Sequence, residues 1–96
     1  MATKRQLEFS ARSLANMEDI KLHIAADNPV AATKVIKSVL STSEELIDFP
    51  MLGYTGQRTG TRELVLSKYP YTIIYRLTLN KIHIVAVVHQ SQKHPS

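Results

Sequence analysis

The sequence predicts an α+β fold with two layers, in which a helical hairpin packs on one face of a mainly antiparallel sheet. Apolar residues recur every three to four positions between residues 10 and 50, as on one side of a helix, whereas residues 62–89 alternate apolar and polar side chains as strands do. Short turns separate the strands of the second half, and strands joined by hairpins form an antiparallel sheet. The predicted order is β-α-α-β-β-β, within a single domain over residues 1–96.

The first strand and the two helices have clear boundary signals. Imperfect alternation predicts a short strand over residues 4–9, and Ser10 then offers an N-cap hydroxyl to the first helix. The second helix is predicted to begin with Asn28 as its N-cap and Pro29 in its first position, where the missing N–H of proline costs nothing. Pro50 ends this helix. Because only a very short turn joins the two helices, they are predicted to form an antiparallel hairpin.

The second half of the chain is predicted as a loop, three strands and a tail. Residues 50–61 hold all three glycines and form an exposed loop. Two-residue turns at 69–70 and 79–80 separate the strands, and a polar tail over residues 90–96 follows them. The strands are predicted over residues 62–68, 71–78 and 82–89.

Alternation assigns each strand side chain to one face of the sheet. The face that meets the helices is predicted to carry Leu64, Leu66, Tyr71, Ile73, Tyr75, Leu77, Ile82, Ile84, Ala86 and Val88. The other face, called the open face below, is predicted to carry Glu63, Val65, Thr72, Ile74, Arg76, His83, Val85, Val87 and His89. Its mixture of aliphatic and charged residues indicates a binding surface or, alternatively, high β-propensity alone.

Positive charge is concentrated in the second half of the chain. Residues 1–49 hold six Lys/Arg and seven Asp/Glu, a net charge of −1, whereas residues 50–96 hold six Lys/Arg and one acidic residue, a net charge of +5. This imbalance suggests a polyanion or an acidic protein as partner, with ordinary solubilising charge as the alternative.

Several classes of function are excluded or disfavoured by what the sequence lacks. With no cysteine there are no disulfides and no thiolate metal ligands, which fits a reducing compartment. The first ten residues contain no apolar signal-peptide segment, and the longest apolar run, residues 84–88, is too short to span a bilayer. A cytoplasmic protein without a membrane partner is expected. No P-loop, dinucleotide fingerprint, zinc motif or nucleophile elbow occurs, so no metal and no cofactor are expected.

The remaining chemistry is metal-free cleavage of a polyanion. RNA can be cleaved in this way by a general acid, a general base and fixed cations that stabilise the phosphorane. The candidates for these roles are Arg62, Arg76, His89, Lys93 and His94. Structural roles are the alternative for the two arginines. Arg76 is predicted opposite Glu63 in an ion pair worth about 0.2–1 kcal/mol, and the stem of Arg62 is predicted to pack on Leu77.

Over about residues 7–95 the chain resembles the RelE/ParE superfamily of bacterial toxins from type II toxin–antitoxin modules. The segments that carry the resemblance are "NPVAA" at 28–32, "LIDFPMLGYTG" at 46–56, "GTRELVL" at 60–66, "YPYTIIYRL" at 69–77 and "IHIVAVVHQ" at 82–90. The resemblance implies the β-α-α-β-β-β order, and it implies a small toxin whose partner is a cognate antitoxin protein.

The superfamily has two branches that differ in target. ParE-like members bind and inhibit DNA gyrase, whereas RelE-like members enter the ribosomal A site and cleave mRNA without metal. The layout of this sequence is closer to the ParE-like branch, so a gyrase inhibitor is the first expectation and a ribosome-dependent mRNA endonuclease the alternative. The residues expected to contact the target are Arg58, Arg62, Arg76, His89 and Lys93.

The C-terminal tail departs from the pattern of many ParE-like relatives. Gln92 stands where those relatives have an arginine, and His94 stands where they have an aromatic residue. The departure leaves a third alternative open, a degenerate toxin that serves only as the antitoxin's partner and co-repressor.

Overall fold

Two helices cover one face of a five-stranded sheet, as the sequence predicts. The computed structural model describes residues 4–92, with the elements β1 (Gln6–Phe9), α1 (Ala11–Ala25), α2 (Pro29–Asp48), β2 (Tyr54–Thr55), β3 (Arg62–Val65), β4 (Tyr71–Leu77), β5 (Lys81–His89) and a final 3₁₀ turn (Gln90–Gln92). The strand order is β1-β5-β4-β3-β2, with β1 parallel to β5 and every other pair antiparallel. The predicted α+β architecture is confirmed, with the short strand β2 added inside the predicted loop. Neither α1 nor α2 is long and apolar enough to cross a membrane.

The predicted caps of both helices are present. The side chain of Ser10 accepts a hydrogen bond from the Ser13 N–H at 3.0 Å, and that of Asn28 accepts one from the Ala31 N–H at 3.0 Å. Pro29 occupies the first turn of α2, where no N–H is needed. The helix boundaries therefore follow from local sequence signals.

The core lies between the helices and the inward face of the sheet. The buried apolar residues that pack together are Met17, Val35, Val39, Leu46, Leu66, Tyr71, Ile73, Tyr75, Ile82, Ile84 and Val87. The helices keep several large apolar side chains in solvent, among them Leu14 and Leu22 of α1 and Leu40 of α2. The apolar periodicity of the helices therefore predicts more core residues than the structure buries.

A β-bulge in β5 changes the face on which its last residues lie. Tyr75 pairs with Ile84, but Ile74 pairs with Ala86, so Val85 is an extra residue without a partner on β4. Because side chains alternate along a strand, one extra residue moves every later side chain to the other face.

The predicted faces of the last residues of β5 are therefore wrong. Val87 pairs with Ile73 and is buried in the helix-side core, whereas Val88 pairs with Thr72. His89 pairs with Tyr71 and lies on the helix side, not on the open face as predicted. The sequence contains no glycine or proline in this strand that would have indicated the bulge.

The pairing of β3 with β4 differs from the prediction by two residues. Glu63 pairs with Ile74, and Arg62 pairs with Tyr75, because β3 ends at Val65 and a longer turn follows it. A shift of two residues preserves the faces but separates Arg76 from Glu63, so the predicted cross-strand ion pair is wrong. The Glu63 carboxylate instead accepts a hydrogen bond from the backbone N–H of Gln57 at 3.2 Å.

Ser10 and Asn16 bind the backbone of β5 at the bulge, where β1 no longer covers its edge. The Ser10 N–H donates to the Ile84 carbonyl at 2.9 Å, and its hydroxyl donates to the Val85 carbonyl at 2.8 Å. The Asn16 side-chain oxygen accepts from the Val87 N–H at 3.1 Å. The start of α1 thereby satisfies the backbone groups that the end of the parallel ladder leaves unpaired.

Replacing Ser10 by alanine is expected to destabilise the protein more than replacing Asn28 by alanine. Both changes remove an N-cap, which is typically worth about 1 kcal/mol, but only Ser10→Ala also leaves the Val85 carbonyl without its donor, for a total of about 2–3 kcal/mol. Urea unfolding of the two variants measures the difference. Equal losses in the free energy of unfolding would mean that the bond to Val85 contributes nothing.

Candidate functional site

The structure places the predicted site residues on separate surfaces. Arg58 is exposed in the turn between β2 and β3, and Arg76 is exposed on the open face. Arg62 lies half-buried under the loop that follows α2. His89 lies beside α1. The predicted residues Lys93 and His94 lie outside the described residues.

Arg62 holds the loop that follows α2. Its guanidinium donates to the carbonyl oxygen of Met51 at 3.3 Å and to that of Gly53. Its Nε is buried and has no hydrogen-bond partner among residues 4–92. Two of the hydrogen bonds that Arg62 can donate are therefore directed at the chain's own backbone. This structural role of Arg62 differs from the predicted packing on Leu77.

Tyr75 holds the same loop from inside the core. Its hydroxyl donates to the Pro50 carbonyl at 2.8 Å and accepts from the Gly53 N–H at 2.9 Å. A Cβ at Gly53 would lie 2.6 Å from the Glu63 carbonyl and 2.8 Å from the Tyr75 hydroxyl, so only glycine fits here. Alternation along β4 does not predict that Tyr75 holds this loop, although a buried tyrosine signals that its hydroxyl needs a hydrogen-bond partner.

Arg76 belongs to a row of charged residues that crosses the open face. It pairs across the sheet with His83, whose Nδ1 lies 3.1 Å from a carboxylate oxygen of Glu8. The Lys81 ammonium donates to the other oxygen of Glu8 at 2.9 Å. Within residues 4–92 the Arg76 guanidinium has no ion-pair or hydrogen-bond partner, so this cation is available to a binding partner.

The charges beside Glu8 favour its ionised form. The hydrogen bond and the positive charge of Lys81 lower the pKa of the Glu8 carboxyl below its usual value, and the contact with His83 adds to the effect. A lowered pKa in the folded state adds stability above the pKa of the unfolded chain. This contribution is lost as the pH falls through the folded pKa.

Removing the Lys81 ammonium is expected to raise the pKa of Glu8. In Lys81→Met the carboxyl ¹³C titration of Glu8 should move to higher pH than in the wild type, and in His83→Gln it should move less, because Lys81 is the larger cause. Arg12→Met on α1 serves as the control and should leave the titration unchanged. A Glu8 titration that ignores Lys81→Met would show that the ion pair does not persist in solution.

His89 forms one wall of a cleft between α1 and the end of the sheet. Its ring meets Tyr71 edge to face, with centroids 5.3 Å apart, and its Nδ1 accepts from the Ser91 N–H at 3.1 Å. In the neutral ring this bond leaves the proton on Nε2. The cleft has a volume of ≈ 510 Å³ and is lined by Asn16, Asp19, Ile20, His23, Tyr71, Val87, His89 and Ser91.

The arrangement keeps the candidate acid–base group away from the candidate cation. Arg76 pairs with His83, which precedes His89 by six residues in β5, a separation of roughly 20 Å along the strand. The bulge also puts His89 and Arg76 on opposite faces. Over the described part of the chain, no three His, Asp or Glu side chains are grouped to hold a metal ion. Among the described residues, Arg76 and His89 therefore do not share one site.

The fold, a helical hairpin over a sheet whose first and last strands run parallel, is shared with solved structures of toxin–antitoxin systems. Residues 7–94 match the family described as "ParE toxin of type II toxin-antitoxin system, parDE", and the chain belongs to this family. The resemblance noted from the sequence is thereby confirmed.

Individual relatives support the assignment. Y4kP of Sinorhizobium fredii is 31% identical over 93 residues, which cover 97% of this chain and 96% of that protein. The solved structure described as the chromosomal ParDE system from P. aeruginosa has a TM-score of 0.81 at 19% identity, covering 90% of this chain and 96% of that one. The toxin–antitoxin complex RelBE2 from Mycobacterium tuberculosis has a TM-score of 0.60 at 16% identity, covering 91% and 99%. At these identities the structural comparisons show the fold alone.

Proposed function

We propose that this protein inhibits DNA gyrase by binding to it in the cytoplasm, and that a cognate antitoxin neutralises it. The observation that carries the proposal is the separation of Arg62, Arg76 and His89. A metal-free nuclease needs an acid, a base and cations within hydrogen-bonding reach of one phosphate. These three residues lie on different surfaces, which favours binding over catalysis.

The family assignment supports the same proposal. The match to ParE toxins extends over residues 7–94, and Arg76 is an exposed cation with no partner among the described residues. Planar guanidinium groups are common anchors at protein interfaces. Arg76 is therefore proposed to contact the target, with Arg58 as a second exposed cation. Arg62 is proposed to support that surface by holding the loop.

An mRNA endonuclease is the second candidate. The observation that favours it is the cleft beside α1, because it brings His89 and His23 to one cavity. The likeness to the RelBE2 complex is consistent with this alternative, although it concerns the fold alone. In this alternative His89 would act as the general acid and donate its Nε2 proton to a ribosome-bound substrate.

Arg76→Ala and His89→Gln are expected to separate the two candidates. With gyrase as the target, Arg76→Ala weakens inhibition of supercoiling by about 10-fold, the loss of one well-placed charged contact, and His89→Gln has little effect. Purified protein is tested for gyrase supercoiling and for mRNA cleavage on programmed ribosomes. Lys21→Ala on α1 is the matched control and should behave as the wild type.

Codon-positioned mRNA cleavage would contradict the proposal. The contradiction would be strongest if His89→Gln reduced cleavage by about 10²–10⁴-fold while ribosome binding persisted, as expected for loss of a general acid. A protein inactive in both assays that still binds its antitoxin would be the degenerate toxin.

The free edge of β1 is proposed to receive an extended segment of the antitoxin, alongside contacts on the helical hairpin. The amides of Gln6 and Ser10 donate to carbonyls of Asn80 and Ile84 at 2.9 Å. Because donors alternate along a strand, the amides of Leu7 and Phe9 point to the free edge. An acidic segment that adds as a sixth strand would satisfy them and would be attracted by the net positive charge.

Antitoxin binding is expected to slow hydrogen exchange at Leu7 and Phe9 and to raise the melting temperature through linkage. The control is Thr55 at the opposite edge of the sheet, in β2, whose amide should exchange at the same rate in the free and bound protein. Protection of Thr55 in place of Leu7 and Phe9 would locate the antitoxin at the other edge instead. An unchanged melting temperature at saturating antitoxin would refute the interaction.

A further inference from the structure

An apolar surface is exposed where α2 meets β2. Within six consecutive residues, the side chains of Phe49, Met51, Leu52 and Tyr54 are 64, 66, 48 and 50% exposed. These four residues are called the α2–β2 surface below. Scattered single apolar residues are common on protein surfaces, but four exposed apolar side chains within six consecutive residues are a candidate interaction site.

The backbone beneath the α2–β2 surface is held rigidly. Tyr75 binds Pro50 and Gly53 from the core, and Arg62 binds the carbonyls of Met51 and Gly53. The side chains are therefore presented outward by a fixed loop rather than exposed by local disorder. A pre-ordered loop loses less conformational entropy on binding, which suits a docking surface.

The exposed acidic side chains at the end of α2 border the α2–β2 surface, whereas Arg62 lies half-buried beneath it and is bound to its backbone. Glu44, Glu45 and Asp48 lie at the end of α2, and the last turn of this helix contains no basic residue. Lys4 forms an ion pair with Asp48, so Glu44 and Glu45 remain without an ion-pair partner in the part of the chain that the structure describes. The C-terminal end of the helix adds its own partial negative charge.

We propose that the α2–β2 surface docks the target protein, through an apolar pocket on the target that is bordered by Lys or Arg side chains. The proposal rests on the proposed toxin function. The carboxylates of Glu44 and Glu45 disfavour an acidic chain on the α2–β2 surface itself, so the antitoxin's contacts with the helical hairpin lie away from this end of α2. The two partners are therefore proposed to bind different surfaces. The target contacts an apolar surface with acidic neighbours, and the antitoxin contacts the β1 edge of a basic protein.

The test compares two double variants that each replace two exposed apolar residues. Met51→Gln/Leu52→Gln removes the centre of the α2–β2 surface. The matched control is Leu22→Gln/Leu79→Gln, at positions 61% and 95% exposed and outside that surface. Each chain is assayed for growth arrest on induction, for inhibition of gyrase supercoiling and for affinity towards its antitoxin. Thermal unfolding verifies that both variants fold.

The expected result is selective loss of target engagement. Met51→Gln/Leu52→Gln should weaken growth arrest and gyrase inhibition by about 10–100-fold, because two interface side chains no longer bury apolar surface, while antitoxin affinity changes less than threefold. The control variant should arrest growth as the wild type does. Glu45→Lys should weaken the same activities more than Glu18→Lys on α1, and the difference should shrink in high salt.

Other outcomes overturn the proposal. Equal weakening of antitoxin binding would assign the α2–β2 surface to the antitoxin. Concentration-dependent dimers of the wild type that Met51→Gln/Leu52→Gln dissolves would assign it to a second copy of this chain. A wild-type chain that arrests no growth would have no target to dock. If growth arrest depends on the α2–β2 surface but the wild type does not inhibit gyrase, the docking surface is supported and the proposal that gyrase is the target is wrong.

Discussion

The hydroxyl of Ser10 is the contact on which the arrangement of the sheet depends. It caps α1 by accepting from the Ser13 N–H, and it donates to the carbonyl of Val85, the extra residue of the bulge in β5. One side chain thus sets where the first helix begins and stabilises the backbone where β1 ends. Because the bulge reverses the face of every later residue in β5, the same region also determines that His89 lies beside α1, away from Arg76.

Local features of the fold could be predicted from the sequence, whereas features that depend on distant partners could not. The caps at Ser10 and Asn28 and the order of the elements follow from signals within a few residues. The bulge at Val85 is stabilised by Ser10, 75 residues away, and the loop after α2 is held by Tyr75, 25 residues from Pro50. Alternation along a strand cannot reveal such contacts, so the predicted faces of Val87 and His89 were wrong.

In the candidate site, too, features that depend on distant backbone partners could not be predicted from the sequence. Arg76 is exposed on the open face as predicted. The role of Arg62 was only partly visible, because its partners are backbone carbonyls of a loop that no side-chain pattern predicts. The apolar residues after α2 were predicted to lie in an exposed loop, but not to form an interaction surface. A chain of this size can therefore carry distinct contact surfaces on its sheet edge, its open face and the loop that follows α2.

The parallel pairing of β1 with β5 has a consequence for how the chain folds during its synthesis. β5 lies between β1 and β4, and the ion pair of Lys81 with Glu8 joins residues 73 positions apart. The sheet cannot be completed until the last strand has left the ribosome, because β1 has no neighbour before then. The complete β1 edge and the cleft beside His89 are therefore absent from a chain that is still being synthesised. An antitoxin that adds to the β1 edge would therefore recognise only chains whose last strand is already in place.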